Sequence, residues 1–380
     1  MVSFNLIDKP WIPVERRHGE RLGTVERISI RDALCHANDI AAIRHQSPLA
    51  VGALYRLLGG ILQRALVTYT TRPDSHVERC AEWFLNGWPV AEVESYLATW
   101  YDSFDLFSES KPFLQVPGLW DEKWLDSWTR LTADLGSGNT NFLYNASKRY
   151  IPSSDAAPIS AADAAVLLIE HQQFGLGGLI KRLATSVQAA PLASSAVFLP
   201  VGASLRESLV LQMFDNRVNA AGDLPCWEQS WWPLTQNTLE SQGERVAPGP
   251  IATITWPLRA IRLLPERDGD SLTVRSMVYA AGLPLANSED RGKQDDMVAQ
   301  RVTADKRVLP LRFSKSKSIW RNVEAFLPLV KYKEATQATR IPPVVKHALA
   351  VWATMREISR EHVRGLRVVG QINDKSKIGR

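Results

Sequence analysis

The chain has 380 residues, 45% hydrophobic and 22% charged, which suits a globular protein with a sizeable core in one large domain or two. No apolar run approaches the roughly 18 residues of a membrane span, and the N-terminal MVSFNLIDKPWIPV lacks the features of a signal peptide, so membrane and secreted classes are excluded and a cytoplasmic protein is expected. The net charge of +5 hides an asymmetry: residues 301–380 carry 18 Lys+Arg against 6 Asp+Glu (+12) and the first 300 carry 27 against 34 (−7), the footprint of a polyanion partner or of an ordinary basic surface.

In chain order, FNLIDKPWIPVE reads as two short strands around a turn, Ile28 to Ile30 as a third strand and Arg31 to Ala37 as a short helix. Ser47-Pro48 supplies an N-cap and a proline at the first helical position for an apolar helix from Leu49 to Val67. Only Arg56, Gln63 and Arg64 interrupt it, on one narrow stripe, so the helix should be largely buried. His76 to Leu85 and Ala91 to Phe104 read as amphipathic helices with Trp83, Tyr96 and Trp100 toward a core. Lys111 to Val116 is read as a short extended piece. The polar, aromatic stretch from Thr132 to Ser154 is too long for a simple connector and reads as a functional or mobile loop. In it Tyr144 and Asn145, close to Lys148 and Arg149, have the chemistry to stack on and hydrogen-bond a nucleotide, or to anchor the loop to its own core.

An Ala-rich helical run from Ala161 to Glu170 leads into QQFGLGGLIKR, where Gly175, Gly177 and Gly178 precede Lys181 and Arg182. Glycine permits close backbone approach to a ligand, and successive N–H groups can line a concave site for an anion or a base edge. The stretch is neither a P-loop nor a dinucleotide fingerprint. Beyond it come a strand at Ala196 to Pro200, a helix at Ser204 to Phe214 and an irregular polar insertion from Asn216 to Pro250. Ile251 to Trp256, Ala260 to Leu264 and Leu272 to Ala280 read as three strands, the last two carrying Arg262 and Arg275. A charged loop, Asn287 to Gln300, holds Asp295 and Asp296, expected to be solvated. Pro310 to Phe313 reads as a strand, followed by Lys315 and Lys317, a short helix at Ile319 to Phe326, and a helix from His347 to His362. Two apolar runs, Leu366 to Ile372 and Ile378, flank a polar turn and suggest a hairpin with Lys375 near its tip.

No catalytic constellation emerges. The seven His show no HExxH, HxH or His-Cys metal spacing, the three Cys stand singly, and there is no GxSxG elbow. His171 beside the glycine stretch reads as a helix cap. The chain is therefore read as a binding protein, not an enzyme, with no cofactor and no metal, and with an α+β fold of mixed helices and strands lacking regular βαβ alternation.

NLIDKPWIPV, PLAVGALYRLLGGIL, KPFLQV, GSGNTNFLYN, FGLGGLIKR, PLASSAVFLPVGASLRESLVLQMF, ITWPLRAIRLLPE and GQINDKSKI succeed one another over essentially the whole chain. As an ordered series they resemble the CasA family, the large subunit of the type I-E CRISPR Cascade complex. The resemblance implies a protein that reads the protospacer-adjacent motif in duplex DNA, opens the duplex and helps recruit a nuclease-helicase. Its implied partners are CRISPR RNA, duplex target DNA and the backbone, handle-binding and small subunits of Cascade, with no membrane. Carried onto this sequence, the DNA-reading glycine loop corresponds to Gly175, Gly177 and Gly178, the basic finger to Arg275, and the wedge to Lys375 flanked by Asn373 and Asp374. Lys181, Arg182, Lys315, Lys317 and Lys377 are expected at the DNA backbone. Tyr144, Asn145, Lys148 and Arg149 are expected at the guide's 5′ handle and a neighbouring subunit.

Three departures accompany the likeness. Lysine replaces the family's usual glutamine at the wedge tip, and Leu176, Leu179 and Ile180 stand where glycines are common. The chain also stops at Arg380, where the family continues into a helical bundle. The expected organisation is a large mixed domain over 1–365 and a wedge hairpin with a stub over 366–380. A purely structural subunit capping the guide, or part of a nuclease whose catalytic module lies further on, remain the alternatives. Gly177→Asp is expected to weaken motif-dependent binding without unfolding the protein.

Overall fold

The computed structural model describes residues 2–17, 24–70, 76–132, 156–214, 222–241, 243–286, 295–303, 305, 307–313, 339–355, 365–374 and 377–378. At the N-terminus β1 (Ile12–Arg16) lies between β2 (Val25–Ile28) and β3 (Ile40–Ile43), antiparallel to both, with Ile12 opposite Ile28 and Val14 opposite Ile43. The strand expected at Ile28 to Ile30 thus ends at Ile28, because Ser29 caps α1 (Ile30–Cys35). Its hydroxyl accepts from the Asp32 N–H, and the Asp32 carboxylate accepts in return from the Ser29 N–H.

The next helix, α2 (Pro48–Ala65), starts as its sequence dictates: Ser47 Oγ accepts from the Ala50 N–H at 3.3 Å and Pro48 occupies the first turn. It is buried on nearly every side. Leu54, Leu57, Leu58, Ile61 and Leu62 are each at most 1% exposed, each worth roughly 1.5–3 kcal/mol relative to exposure. Its three polar residues all find partners: Arg56 and Gln63 are fully buried, Gln63 exchanges hydrogen bonds with the Phe214 backbone, and Arg64 forks onto Glu228. Gly52 lets the chain close on this helix, since a Cβ there would stand 2.7 Å from Val369 Cγ2. After α3 (Val67–Thr70), α4 (His76–Asn86) and α5 (Val90–Thr99), the expected extended piece at 111–116 is instead a series of turns. Pro112 accepts from the Gln115 N–H at 3.1 Å with Leu114 at φ 52°, and the buried Gln115 side chain binds the Leu106 carbonyl and the Leu263 N–H.

The second sheet is built on a long hairpin. β4 (Leu125–Ser127) and β5 (Ile159–Ser160) precede α6 (Ala161–Phe174), the small hairpin β6 (Gly178–Arg182) and β7 (Ala184–Val187), then β8 (Val197–Val201) and α7 (Leu205–Leu211), capped by Ser204. The polar insertion contains α8 (Gln236–Ser241) and leads into α9 (Pro250–Ile254). β9 (Arg259–Asp268) and β10 (Ser271–Ala281) pair along their full length across a turn at Gly269, φ 60°, and β4 and β5 both join β10. The expected strand at Ile251 to Trp256 is thus a helix. Its β-branched residues are overridden by a distant cap: the fully buried Asp223 accepts from Ala252 N–H at 2.8 Å and Ile251 N–H at 3.2 Å, and Pro250 sits in the first turn.

The remaining chain supplies β11 (Gln300–Val302), β12 (Val308–Pro310) and β13 (Thr339–Arg340) as a third sheet, then α10 (Pro343–Thr354), β14 (Gly365–Val369), β15 (Asn373–Asp374) and β16 (Lys377–Ile378). The apolar run from Leu366 pairs with β8 (Val369 opposite Val197), not with the terminal run, so the boundary placed at 365/366 falls within a strand pair. The terminal hairpin consists of β15 and β16 alone, Asp374 opposite Lys377. The fold is mixed α+β, its described strand pairs antiparallel and no barrel closed among the described residues. Among those residues no helix is long and apolar enough to cross a membrane. The helix expected at Ile319 to Phe326 lies outside them.

Asp223→Ala removes the acceptor for two helix N–H groups in a dry site. It should cost about 1–2 kcal/mol of stability, read as a lower denaturant midpoint with an unchanged slope, while Asp223→Asn should recover part of the loss.

Candidate nucleic-acid interface

The C-terminal turn of α6 is held by buried side chains before the glycines begin. A helix ends with carbonyls that lack intrahelical partners; here Gln371 donates to that of Phe174 and Arg259 to that of the capping Gly175, while the buried amides of the last turn bond to neighbouring elements. Gln172 exchanges hydrogen bonds with the Arg259 backbone, its Nε2 to the carbonyl at 2.9 Å and its Oε1 from the N–H at 3.2 Å. Gln173 Nε2 donates to the Ala53 carbonyl at 3.2 Å and its Oε1 accepts from Arg56 Nε at 2.9 Å. Arg56 in turn grips Asp295 with two bonds of 2.9 and 2.6 Å. Asp295, expected to be solvated, is therefore half of a buried ion pair. Beside it Asp296 is pushed up to about 7 by burial and by the Asp295 charge.

Arg259, wholly buried, reaches the loop itself. Its Nη2 donates to the carbonyls of Leu176 at 2.8 Å and Gly175 at 3.3 Å, and its Nε to Tyr279 Oη at 3.0 Å. Tyr279 Oη lies 2.9 Å from His171 Nε2, and His171 Nδ1 lies 3.2 Å from the Leu131 carbonyl. With Arg259 donating to the phenol, the phenol donates to Nε2 and Nδ1–H donates to Leu131, which assigns the neutral tautomer. Burial, and then the Arg259 cation, push the His171 pKa down to about 3. His171 is thus a neutral relay in a structural network, not a simple helix cap.

The three glycines differ in what they do. Gly175 closes α6, its N–H bound to the His171 carbonyl at 2.9 Å. Gly177 is a packing glycine: a Cβ would lie 2.6 Å from Ala189 N and 2.9 Å from the Val187 carbonyl oxygen. Gly177→Asp would therefore disturb the hairpin closure, contrary to the expectation that it leaves the fold untouched. Gly178 has open space where its Cβ would stand and begins the hairpin of β6 and β7. Along that hairpin Leu179 is 74% exposed and Lys181 is exposed, with Lys181 and Leu183 at φ 54° and 63° in a tight, irregular turn. Arg182, expected at DNA phosphates, instead ties the hairpin down: Nη1 donates to Asp126 Oδ2 at 2.8 Å and to the carbonyls of Tyr279 at 3.0 Å and Trp124 at 3.1 Å.

The terminal hairpin is mounted on the same ground. Gln371, which shortly precedes β15, is buried, and its Nε2 donates to the Phe174 carbonyl at 2.7 Å and the Ala193 carbonyl at 3.1 Å. A Cβ at Gly370 would run into the Phe313 ring and the Ser195 carbonyl. The base of the hairpin, the start of the glycine loop and the residue preceding 314–338 thus converge. Arg275 is elsewhere: it is four residues, about 13 Å of strand, from Tyr279, donates to the Ala156 carbonyl at 2.7 Å and pairs with Glu266. Asn373, Asp374 and Lys377 are described by their backbone only, and Lys375 lies outside the described residues, as do Tyr144, Asn145, Lys148, Arg149, Lys315 and Lys317. The sequence marks Arg56 only as a polar residue on a buried helix and Asp295 as a solvated one, and shows no sign of their pairing or of the roles of Arg259 and Gln371.

A family model described as CRISPR-associated protein Cse1 matches residues 5–380. A CRISPR-associated protein CasA/Cse1 of Thermus thermophilus is 35% identical over 378 residues, covering 99% of this chain and 69% of the relative. The solved structure of Thermus thermophilus CasA (Cse1) superposes with a TM-score of 0.82 at 33% identity, over 100% of this chain and 71% of that one. A chain in a structure described as a CRISPR RNA-guided surveillance complex superposes with a TM-score of 0.78 at 22% identity, over 100% and 75% of the two chains, a likeness of fold.

The His171 network generates a pH dependence of definite sign. Its folded pKa of about 3 lies below the ordinary 6.5, so the contribution is fully present above about pH 6.5 and is lost as pH falls toward about 3. The wild-type advantage over His171→Gln in urea unfolding should accordingly shrink across that window.

Proposed function

Because the chain belongs to the CRISPR-associated Cse1 (CasA) family, we propose that it serves as the large subunit of an RNA-guided DNA surveillance complex and reads a short protospacer-adjacent motif in duplex DNA. The observation that carries this reading is the joint mounting of two elements. Gln371 fastens the base of the terminal hairpin to the Phe174 carbonyl, one residue before the glycine loop, so a duplex meeting one element meets the other in a set register.

In this role the exposed edge at Gly178 faces the minor groove, where a backbone can approach base edges without a side chain in the way. The minor-groove pattern is degenerate, so several related motifs are tolerated. Lys181, Lys315, Lys317 and Lys377 contribute salt-sensitive phosphate attraction. Arg182 and Arg275 act from behind, holding the hairpin and β10 in place. Lys375, which lies in the sequence between the two strands of the terminal hairpin, presses into the first base step at a cost of a few kcal/mol, which pairing between guide and target offsets. The segment with Tyr144, Asn145, Lys148 and Arg149 takes the guide's 5′ handle and a neighbouring subunit. The chain contributes binding rather than catalysis, and a separate nuclease-helicase performs cleavage.

The test is duplex binding and R-loop formation by the assembled complex with a matched guide, on targets with and without a functional motif, at two salt concentrations. Gly178→Asp places a carboxylate in open space and should keep the melting temperature while weakening binding to the motif-bearing target at least tenfold. Lys375→Ala should bind the duplex but fail to open it. Equal binding of both targets by wild type and both variants would make the chain a scaffold that caps the guide.

A further inference from the structure

Beyond that function, we infer a zinc site between α4 and α10, formed by His76, Cys80 and His347. His76 and Cys80 are both buried and four residues apart on α4, so they share one face one turn apart. His347, in the second turn of α10, meets them from the opposite helix: its ring centroid lies 5.1 Å from that of His76 with 39° between the planes. One donor atom from each residue falls within 4.8 Å of the other two. His76 Nε2 and Cys80 Sγ are already 3.7 Å apart, against about 3.6 Å for the N···S edge of a tetrahedral zinc site built from ordinary bond lengths.

The orientation of His347 supports the same assignment. Its Nε2 lies 3.2 Å from the Val210 carbonyl in α7. A carbonyl can only accept, so Nε2 carries the proton and Nδ1 keeps its lone pair, the usual arrangement of a metal-binding histidine whose second nitrogen is fixed by an outer partner. A thiolate with two imidazoles favours zinc over magnesium or calcium, which take oxygen ligands. Binding displaces the Cys80 thiol proton to solvent, leaves both imidazoles neutral, and leaves a fourth position for water. Local sequence spacing cannot show the set, because His347 is 267 residues from Cys80 along the chain. In this place the ion staples α10 to α4, and α10 is the last described helix before β14 and the terminal hairpin.

The experiment is metal analysis of the full chain purified without chelator, with Co(II) and Zn(II) titration of the stripped protein. Close to one zinc per chain is expected, with a thiolate-to-Co(II) charge-transfer band and tetrahedral ligand-field bands on substitution. Cys80→Ser, nearly isosteric, should abolish the charge-transfer band, and it and His347→Gln should each weaken zinc binding by about 100-fold or more. Wild-type chain that takes up neither ion, an octahedral Co(II) spectrum without a thiolate band, binding unchanged in Cys80→Ser, or copper in place of zinc would each overturn the assignment. The wild-type titration decides the matter even if a variant fails to fold.

Discussion

The structure depends on how one helix end is satisfied. The last turn of α6 lies in the interior, where an unpaired polar group costs about 1–3 kcal/mol: Gln371 takes the Phe174 carbonyl and Arg259 those of Gly175 and Leu176, while the buried amides of Gln172 and Gln173 bond to the Arg259 backbone, the Ala53 carbonyl and Arg56. Each of these side chains belongs to, or bonds to, another element, so α2, α6, β9 and β10 are locked in one relative position. The Arg56–Asp295 pair extends the lock to the chain that enters β11. A buried pair of this kind gives little net stability over an apolar substitute, yet removing one partner strands a charge at a cost of about 3–5 kcal/mol. Its effect is to exclude other arrangements.

That lock decides which groups face inward and which outward. Arg182, expected at the DNA backbone, and Arg275, expected as the motif-reading basic finger, instead have their guanidinium groups engaged with carbonyls and carboxylates of the protein itself. What the β6–β7 hairpin offers outward is the bare backbone at Gly178, the apolar Leu179 and the flexible Lys181. Such a surface suits the shape-reading role proposed for it, since a rigid main-chain edge loses little entropy on contact.

Two titrating groups flank the network with opposite signs. His171, its pKa lowered, contributes stability that falls away in acid, whereas Asp296, raised from 3.8 to about 7, contributes stability that is full below its unfolded value and is lost as pH rises through about 7. Both shifts arise chiefly from burial. The interior around the end of α6 is dry enough to oppose charge of either sign unless a partner is built in, which is why its arginines come with oxygens already aligned.

Local physics is what the amino-acid sequence by itself determined: α2 from Ser47-Pro48 and an apolar run, β9 and β10 from alternation around Gly269, and the cap of α7 at Ser204. The ordered motifs also carried the family, because they span nearly the whole chain. Tertiary structure alone decided the rest. Asp223, 27 residues before Pro250, turned a β-branched stretch into α9. Arg56 found Asp295 across 239 positions, and Gln371 found Phe174 across 197. These contacts follow no local period. They are set by which buried donor lies beside which buried acceptor once the layers have packed, and that pairing exists only in three dimensions.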